Sequence, residues 1–454
     1  MGIGLDDMYQ YDMLARSLAQ GNGYRWYAWT DLQPLARFVD FDLASDPDYD
    51  PDRGVRTSFR APLYPAFLAL IYSVFGISSA RFFAARVAQV VLLSAPLAPL
   101  TYLVGRQILP GNEKVARIAA LVVSIYPILI VYPLGLGTEN LFFIFVLLAV
   151  YFLNRVLSSS SVLDAILAGI LLGLASLTRS VIVPFALLAV LWSWKYKSFK
   201  ISLLVLTSFA IIITPWVVRN SFLHNQLTGI ESSLGYNLYL GYHPAGNGSF
   251  VFGPSLDLLR IVDDAERDRV GTQAAVGFVQ AQPERVLPLA INRLGYFFGL
   301  EKRVLMYFYS NNLVGYIPKG PLLLISLLFV LPFVILCVSA VLGFSTFKSS
   351  DPKIILLLLL GLAYVLPHVL ILSEDRFHLA LVPFIAMLAA QLWTGGWMAV
   401  KMHWKNSVAG KFKVSLALLI CALLLLNWTI ELVSDTPKIA ALFGPDGNQT
   451  YFTY

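Results

Sequence analysis

The sequence predicts an all-α fold, a polytopic transmembrane bundle of about ten helices in which the polar chemistry gathers on one face of the bilayer. Three observations carry that prediction. Of the 454 residues 57% are hydrophobic and 13% charged, with a mean hydropathy of +0.70, whereas a soluble domain carries about a quarter charged residues. Apolar runs near the length of a bilayer span recur along the chain, and their polar connections alternate in charge.

The apolar runs cover 82–107, 115–134, 139–157, 162–178, 180–194, 199–217, 320–346, 353–373, 379–400 and 414–432. Five connections are basic: Arg106, Lys114 and Arg117; Arg155; Lys195, Lys197 and Lys200; Lys348 and Lys353; and Lys401, Lys405, Lys411 and Lys413. The positive-inside rule makes these cytoplasmic. The other segments then face outward. The chain divides into a first outer loop with juxtamembrane helices (1–80), a helical block (81–217), a long outer loop (218–319), a second helical block (320–432) and an outer tail (433–454). With residue 1 outside and no helix to carry it there, the reading expects a further apolar helix upstream of Met1.

Two outer segments exceed simple turns, and loops of that length inside a compact fold are usually functional. The first has a helical pattern from Tyr9 to Ala19, turns at Gly21 and Gly23, an acidic stretch, and a short apolar piece from Pro62 to Phe75 expected to be re-entrant or interfacial. The second has a Gly/Asn-rich turn at 241–248 and an amphipathic helix over 256–282. Its polar side is expected to carry Asp263, Asp264, Glu266, Arg267, Asp268 and Arg269.

Every candidate for chemistry falls on the outer side. Asp6 and Asp7 stand together at the membrane boundary, where adjacent carboxylates serve as a base or metal ligand. An acidic helix start complementing the helix dipole is an equally good reading of the pair. Glu139 lies where an outer turn re-enters an apolar run, and Arg179 lies in the turn between two spans beside Thr178 and Ser180, a donor set suited to phosphate. Arg60 precedes Pro62, Tyr64 and Pro65, a stiffened basic turn. Arg376 and His378 flank Phe377 at another outer helix end, next to Glu374 and Asp375, where a lone His is more often a satisfied boundary residue than a ligand. Separated arginines and separated acids form the charge inventory for acid-base chemistry on a lipid-linked phosphate.

Other chemistries have less support. The run Asp40, Asp42, Asp46, Asp48, Asp50 and Asp52 lacks the glycine and terminal glutamate of a calcium loop, so a solvated acidic loop is the better reading. Cys337 and Cys421 lie inside apolar runs and read as small core hydrophobes. No Walker loop, dinucleotide fingerprint, HExxH or paired-Cys zinc spacing occurs, and the net charge of +6 reports topology rather than nucleic-acid binding.

Taken in order, the motifs resemble a known family. The opening LDDMYQYDMLARSLAQGNGY and RAPLYPAFLALIYSVFG at 60–76 are followed by GTEN at 137–140 and LTRS at 177–180. TPWVVRN at 214–220, GYNLYLGYHPAGNG at 235–248 and EDRFHLALVPF at 374–384 complete the set. This order resembles bacterial GT-C glycosyltransferases of the protein-mannosyltransferase and aminoarabinose-transferase type. The resemblance implies sugar transfer from a polyprenyl-phosphate carrier to a lipid, glycan or protein acceptor, at the periplasmic or extracellular face of a bacterial inner membrane. It implies Asp6 as the catalytic base, with Asp7 in place of the more usual glutamate. Arg60, Arg179 and Arg376 would lie around the carrier phosphate, with Tyr64, Glu139 and His378 lining the same site. Beyond the polyprenyl-phosphate-linked sugar and its acceptor, the expected partners are membrane lipids and not nucleic acid. A divalent cation would neutralise phosphate as the arginines do, so the cofactor is left unassigned. The competing readings are a secondary transporter, whose charges sit near the bilayer midplane within inverted repeats, and a non-catalytic lipid-binding subunit.

Overall fold

The computed structural model describes residues 6–41, 43, 46–305, 309, 315–348 and 350–445. Asp42 of the acidic run and the end of the tail lie outside them. The chain is helical almost throughout, as its composition requires, since backbone polar groups within a bilayer must be satisfied inside their own segment. Two short strands, Arg25–Trp26 and Val55–Arg56, pair antiparallel between the helices Asp7–Ala19 and Leu63–Phe75.

Among the described residues seven helices are long and apolar enough to cross a membrane: Arg81–Ile108, Thr138–Ser159, Phe199–His224, Lys319–Phe344, Pro352–Leu370, Asp375–Lys405 and Val408–Ser434. Three of the expected spans differ. The 115–134 run is a pair bent by 53° where Pro127 follows Tyr126, because proline disfavours helical backbone in the residue before it. The runs 162–178 and 180–194 become the shorter apolar helices Val162–Thr178 and Ser180–Tyr196. The piece after Pro62 is a helix, Leu63–Phe75, that stops at Gly76 with φ 80°, a backbone angle glycine adopts freely.

The chain forms two compact units, each drawing on separate stretches. The first comprises 1–96, 132–292 and 358–372. Within it Val162–Thr178 packs against both Thr138–Ser159 and Phe199–His224. The latter approach is close because Gly169 and Gly173 have no side chains: a Cβ on Gly169 would stand 2.0 Å from Ser208 Oγ, and one on Gly173 would stand 2.7 Å from Ile212. Outside these helices the first helix, Asp7–Ala19, packs on Leu63–Phe75 around Tyr11, Ala15, Tyr64 and Leu68.

The charged helix of the 218–319 segment runs Asp264–Ala281 rather than from 256, because the chain breaks after the short turns Phe252–Asp257 and Leu258–Arg260 and restarts with Asp263 as cap. Its charges do not all face water. Asp264 and Arg267 are 1% and 0% exposed, because Asp264 accepts from Thr57 Oγ1 at 2.6 Å and Ser58 N at 2.7 Å, and Arg267 Nη1 donates to Asp264 at 2.9 Å. The amphipathic reading is corrected there: two of the six charges tie the helix to the first loop.

The second unit comprises 97–131, 293–357 and 373–454. Its helices Lys319–Phe344, Val382–Asn406 and Val408–Ser434 pack on one another around Phe333, Cys337 and Trp428. Gly396, at φ 65° and ψ 178°, breaks the middle one.

Candidate active site

The first helix starts on its acidic pair. Asp6 is the cap: its backbone is extended (φ −111°, ψ −151°) and its exposed carboxylate accepts from Met8 N at 2.9 Å. Asp7 occupies the first turn and forms an ion pair with Arg60 Nη2. Arg60 Nε donates to Gln10 Oε1 at 2.8 Å, and its guanidinium lies over the rings of Tyr11 and Phe59, 5.5 Å and 5.1 Å from their centroids. Tyr24 fixes the backbone there by donating its hydroxyl to Arg60 O at 2.9 Å.

A second pair forms where two apolar helices meet the polar layer. Glu139 lies in the first turn of Thr138–Ser159, and Arg179 ends Val162–Thr178 in extended backbone (φ −149°, ψ 112°). Arg179 Nη1 donates to Glu139 Oε1 at 2.6 Å and to Thr138 Oγ1 at 3.2 Å. The Glu139 side chain is 5% exposed, so the arginine is what makes its charge tolerable. The next residue, Ser180, donates through both Oγ and N to Glu231 Oε1, a carboxylate the sequence reading did not single out.

Tyr11 is buried beneath the first of these pairs, with the Arg60 guanidinium over its ring. Burial pushes its phenol up to about 12, and Arg60, Asp7, Glu139 and Arg179 all act on the same hydroxyl. The tyrosine itself packs edge-on against Tyr64 at 5.1 Å. Tyr64 is fully buried and donates to Gln89 Oε1 at 2.7 Å, so its hydroxyl is engaged inside the unit. Gln89 opens a short π-helical stretch, Gln89–Ser94, where the wider turn leaves room for a polar side chain. It accepts from Asn140 Nδ2 at 3.3 Å and donates to Pro133 O and Gly135 O at 2.9 and 3.1 Å, anchoring the residue after Glu139.

Behind the acidic pair a buried network sets the first helix in place. Asp12, 0% exposed, accepts from Arg16 Nε at 2.8 Å, from Arg81 Nε and Nη2 at 2.8 and 3.0 Å, and from the Tyr72 hydroxyl at 3.0 Å. Burial pushes the Asp12 carboxyl upward, but the guanidiniums of Arg81 and Arg16 prevail and hold it below the usual range. Arg16 Nη2 also donates to Asp31 at 2.6 Å. The only advance signal was the four-residue spacing of Asp12 and Arg16.

Arg376 and His378 belong to the second unit. Arg376 Nε pairs with Glu374 Oε2 at 2.8 Å, and Arg303 holds both Glu374 and Asp375 at 3.0 and 3.1 Å. His378 is fully buried, stacked on Phe333 at 3.9 Å, with Nδ1 2.7 Å from Phe297 O and Nε2 3.0 Å from Glu301 Oε1. Burial pushes the Glu301 carboxyl upward against the pull of His378.

Among the described residues no group of three or more His, Cys, Asp or Glu side chains is arranged to hold a metal. In the acidic loop Asp48 pairs with Arg25 and Arg56, and Asp46 and Asp50 accept from backbone N–H groups.

Fold and paired charges together define a polytopic helical membrane protein whose ionisable residues are held at helix ends. Within that class, residues 59–218, which include Arg60, Glu139 and Arg179, match the family model described as dolichyl-phosphate-mannose-protein mannosyltransferase. No curated protein sequence matches the chain. Solved structures similar to it include the Archaeoglobus fulgidus oligosaccharyltransferase in complex with Zn and sulfate, at 14% identity and a TM-score of 0.47 over 99% of this chain and 53% of that one. Another is AglB from the same organism with an inhibitory peptide and a dolichol-phosphate, at 14% identity and 0.44 over 99% and 56%. ArnT from Cupriavidus metallidurans bound to undecaprenyl phosphate is similar at 12% identity and 0.38 over 88% and 76%. The chain spans about half the length of the oligosaccharyltransferase structures it matches.

Proposed function

We propose that the protein is an inverting glycosyltransferase that moves a sugar from a polyprenyl-phosphate carrier to a lipid, glycan or protein acceptor at the outer face of the membrane. The observation that supports it most is the presence of two partly buried arginines, Arg60 and Arg179, each already paired with a carboxylate. A phosphodiester exchanges for those carboxylates without leaving either cation bare, and two guanidinium forks suit its oxygens. The isoprenoid tail stays in the hydrocarbon among the apolar helices, which is the reason a sugar transferase needs so many of them.

In the reaction Asp6 takes the proton from the acceptor nucleophile as that atom attacks the anomeric carbon. The bond from that carbon to the phosphate oxygen breaks, and polyprenyl phosphate leaves with the electron pair. The leaving group gains a negative charge, and Arg60 and Arg179 stabilise it more strongly than the bound donor. One displacement at the anomeric carbon inverts it.

The test is a paired measurement in nanodiscs: transfer from defined polyprenyl-phosphate sugars, and affinity for undecaprenyl phosphate. Asp6→Asn should lower transfer by about a hundredfold or more while binding largely survives. Arg179→Ala should weaken binding by roughly 1.5–3 kcal/mol through loss of a charge-assisted contact. Because that change also strands Glu139, Arg179→Lys serves as the companion variant: it keeps the charge, loses the fork, and should bind with intermediate affinity. Transfer unchanged in all Asp6, Asp7 and Glu139 variants would replace the enzyme reading with transport or lipid binding.

A further inference from the structure

The two cationic halves of the site come from chain segments far apart in sequence, and one helix holds both. The C-terminal half of Phe199–His224 presents Trp216, Arg219, Asn220 and His224, which at spacings of three, four and eight residues share one face. Trp216 Nε1 donates to Ile230 O at 2.9 Å, and Asn220 Nδ2 donates to Gly229 O and Ile230 O at 2.9 and 3.1 Å. These two residues grip the segment that leads into Glu231, and so to Ser180 and Arg179. Arg219 Nη1 donates to Thr57 O at 2.6 Å, gripping the segment that leads into Arg60.

His224 works where the two segments touch. Ser232 N donates to Ser58 O at 3.0 Å, and the Ser58 and Ser232 hydroxyls lie 2.6 Å apart. The His224 ring, 3% exposed, closes on that contact with Nε2 2.7 Å from Ser58 Oγ. On its other side Nδ1 stands 3.7 Å from Asp263 Oδ2, the cap of the charged outer helix. An ionised carboxylate there favours the proton on Nδ1. Nε2 then accepts from Ser58, and Ser58 accepts from Ser232, so one chain of hydrogen bonds runs from His224 to Ser232. Ser58 and Ser232 are both buried, at 0% and 4% exposure, so water cannot replace a lost partner.

We propose that His224 is a positioning residue for the carrier phosphate: by locking Ser58 to Ser232 it sets the distance between Arg60, two residues beyond Ser58, and Arg179, tied in through Glu231 and Ser180. The proposal rests on the donor-binding reading above. The ligand it concerns is the phosphate of a polyprenyl phosphate, and the residue touches neither the phosphate nor the sugar. The two guanidiniums hold one anion well only at one separation, so slack in the lock lowers affinity without removing a ligand.

The test measures both the dissociation constant and the binding stoichiometry for undecaprenyl phosphate with the full chain in nanodiscs. His224→Ala should raise the dissociation constant by about tenfold with stoichiometry unchanged. His224→Gln, which keeps an acceptor within reach of Ser58, should return it most of the way to the native value. Ser232→Ala, which breaks the same contact from the other end, should match His224→Ala and add little to it in the double variant. It also carries the test if His224→Ala does not fold. A role in folding alone would lower the stoichiometry and leave the dissociation constant as it was, and that outcome overturns the proposal. An unchanged dissociation constant in both Arg179→Ala and the His224 variants would refute the donor-binding reading; an effect of Arg179→Ala without one at His224 or Ser232 would refute the positioning role only.

Discussion

Arg81 grips Asp12 at both carboxylate oxygens, Nε to Oδ1 at 2.8 Å and Nη2 to Oδ2 at 3.0 Å, across 69 residues of sequence. Arg16 and the Tyr72 hydroxyl complete the shell, so the first helix, which carries Asp6 and Asp7, is fastened to the two helices behind it. Asp12→Ala would leave two guanidiniums facing each other without their anion. The expected loss is about 3 kcal/mol or more, read as a lower thermal midpoint in detergent. Asp12→Asn, which keeps the shape but not the charge, should fall between that variant and the native protein.

Span positions were legible because long apolar runs leave few alternatives: the run read over 199–217 is the core of Phe199–His224, and the run over 139–157 is Thr138–Ser159. The bend at Pro127 was written in the proline itself, but the length of 115–134 masked it. Polar tertiary partners were not legible. Asp264 looked like a solvated helix residue because the groups that bury it, Thr57 and Ser58, come from 207 and 206 residues away. Glu231 likewise sits in a plain polar stretch, and only the fold brings it to Ser180. The arginines stood out because a charge at the end of an apolar run is costly wherever its partner comes from.

The contact between His224 and Asp263 predicts how stability responds to acid. The His224 ring 3.7 Å away, with backbone N–H groups adding to it, holds the Asp263 carboxyl at about 2, against an ordinary value of 3.8. A depressed pKa means the folded state favours the charged form. Its contribution is therefore fully present above about pH 4 and is lost as pH falls towards 2. The native protein should lose more of its melting temperature across that window than Asp263→Asn, which keeps the helix cap but cannot titrate. Parallel melting curves for the two would discount the contact.

The lysine-rich connections predict sidedness, with 218–319 outside and 195–200 inside. Arg269 and Ser198 are both exposed, so a cysteine at either position is open to reagent from its own side of the membrane. A membrane-impermeant maleimide applied to intact cells should label Arg269→Cys and not Ser198→Cys, and permeabilisation should then reveal the second. Equal labelling before permeabilisation would rule out the arrangement.

The two aspartates that open the first helix should separate in their effects, because the structure gives them different partners. Asp6 caps the helix with an exposed carboxylate, whereas Asp7 is the counter-ion of Arg60. If Arg60 serves the carrier phosphate, the Asp7 carboxylate competes with it for the same guanidinium. Asp7→Asn removes one negative charge a few ångströms from the incoming anion, so undecaprenyl phosphate should bind several-fold more tightly, and the gain should shrink as salt screens it. Transfer should fall less than in Asp6→Asn, since the base is retained. Asp6→Asn should show the opposite pattern, with binding near native and transfer lost. Were Asp7→Asn to abolish transfer while Asp6→Asn spared it, the roles would be exchanged: the paired carboxylate would be the base, released from Arg60 when the phosphate takes its place.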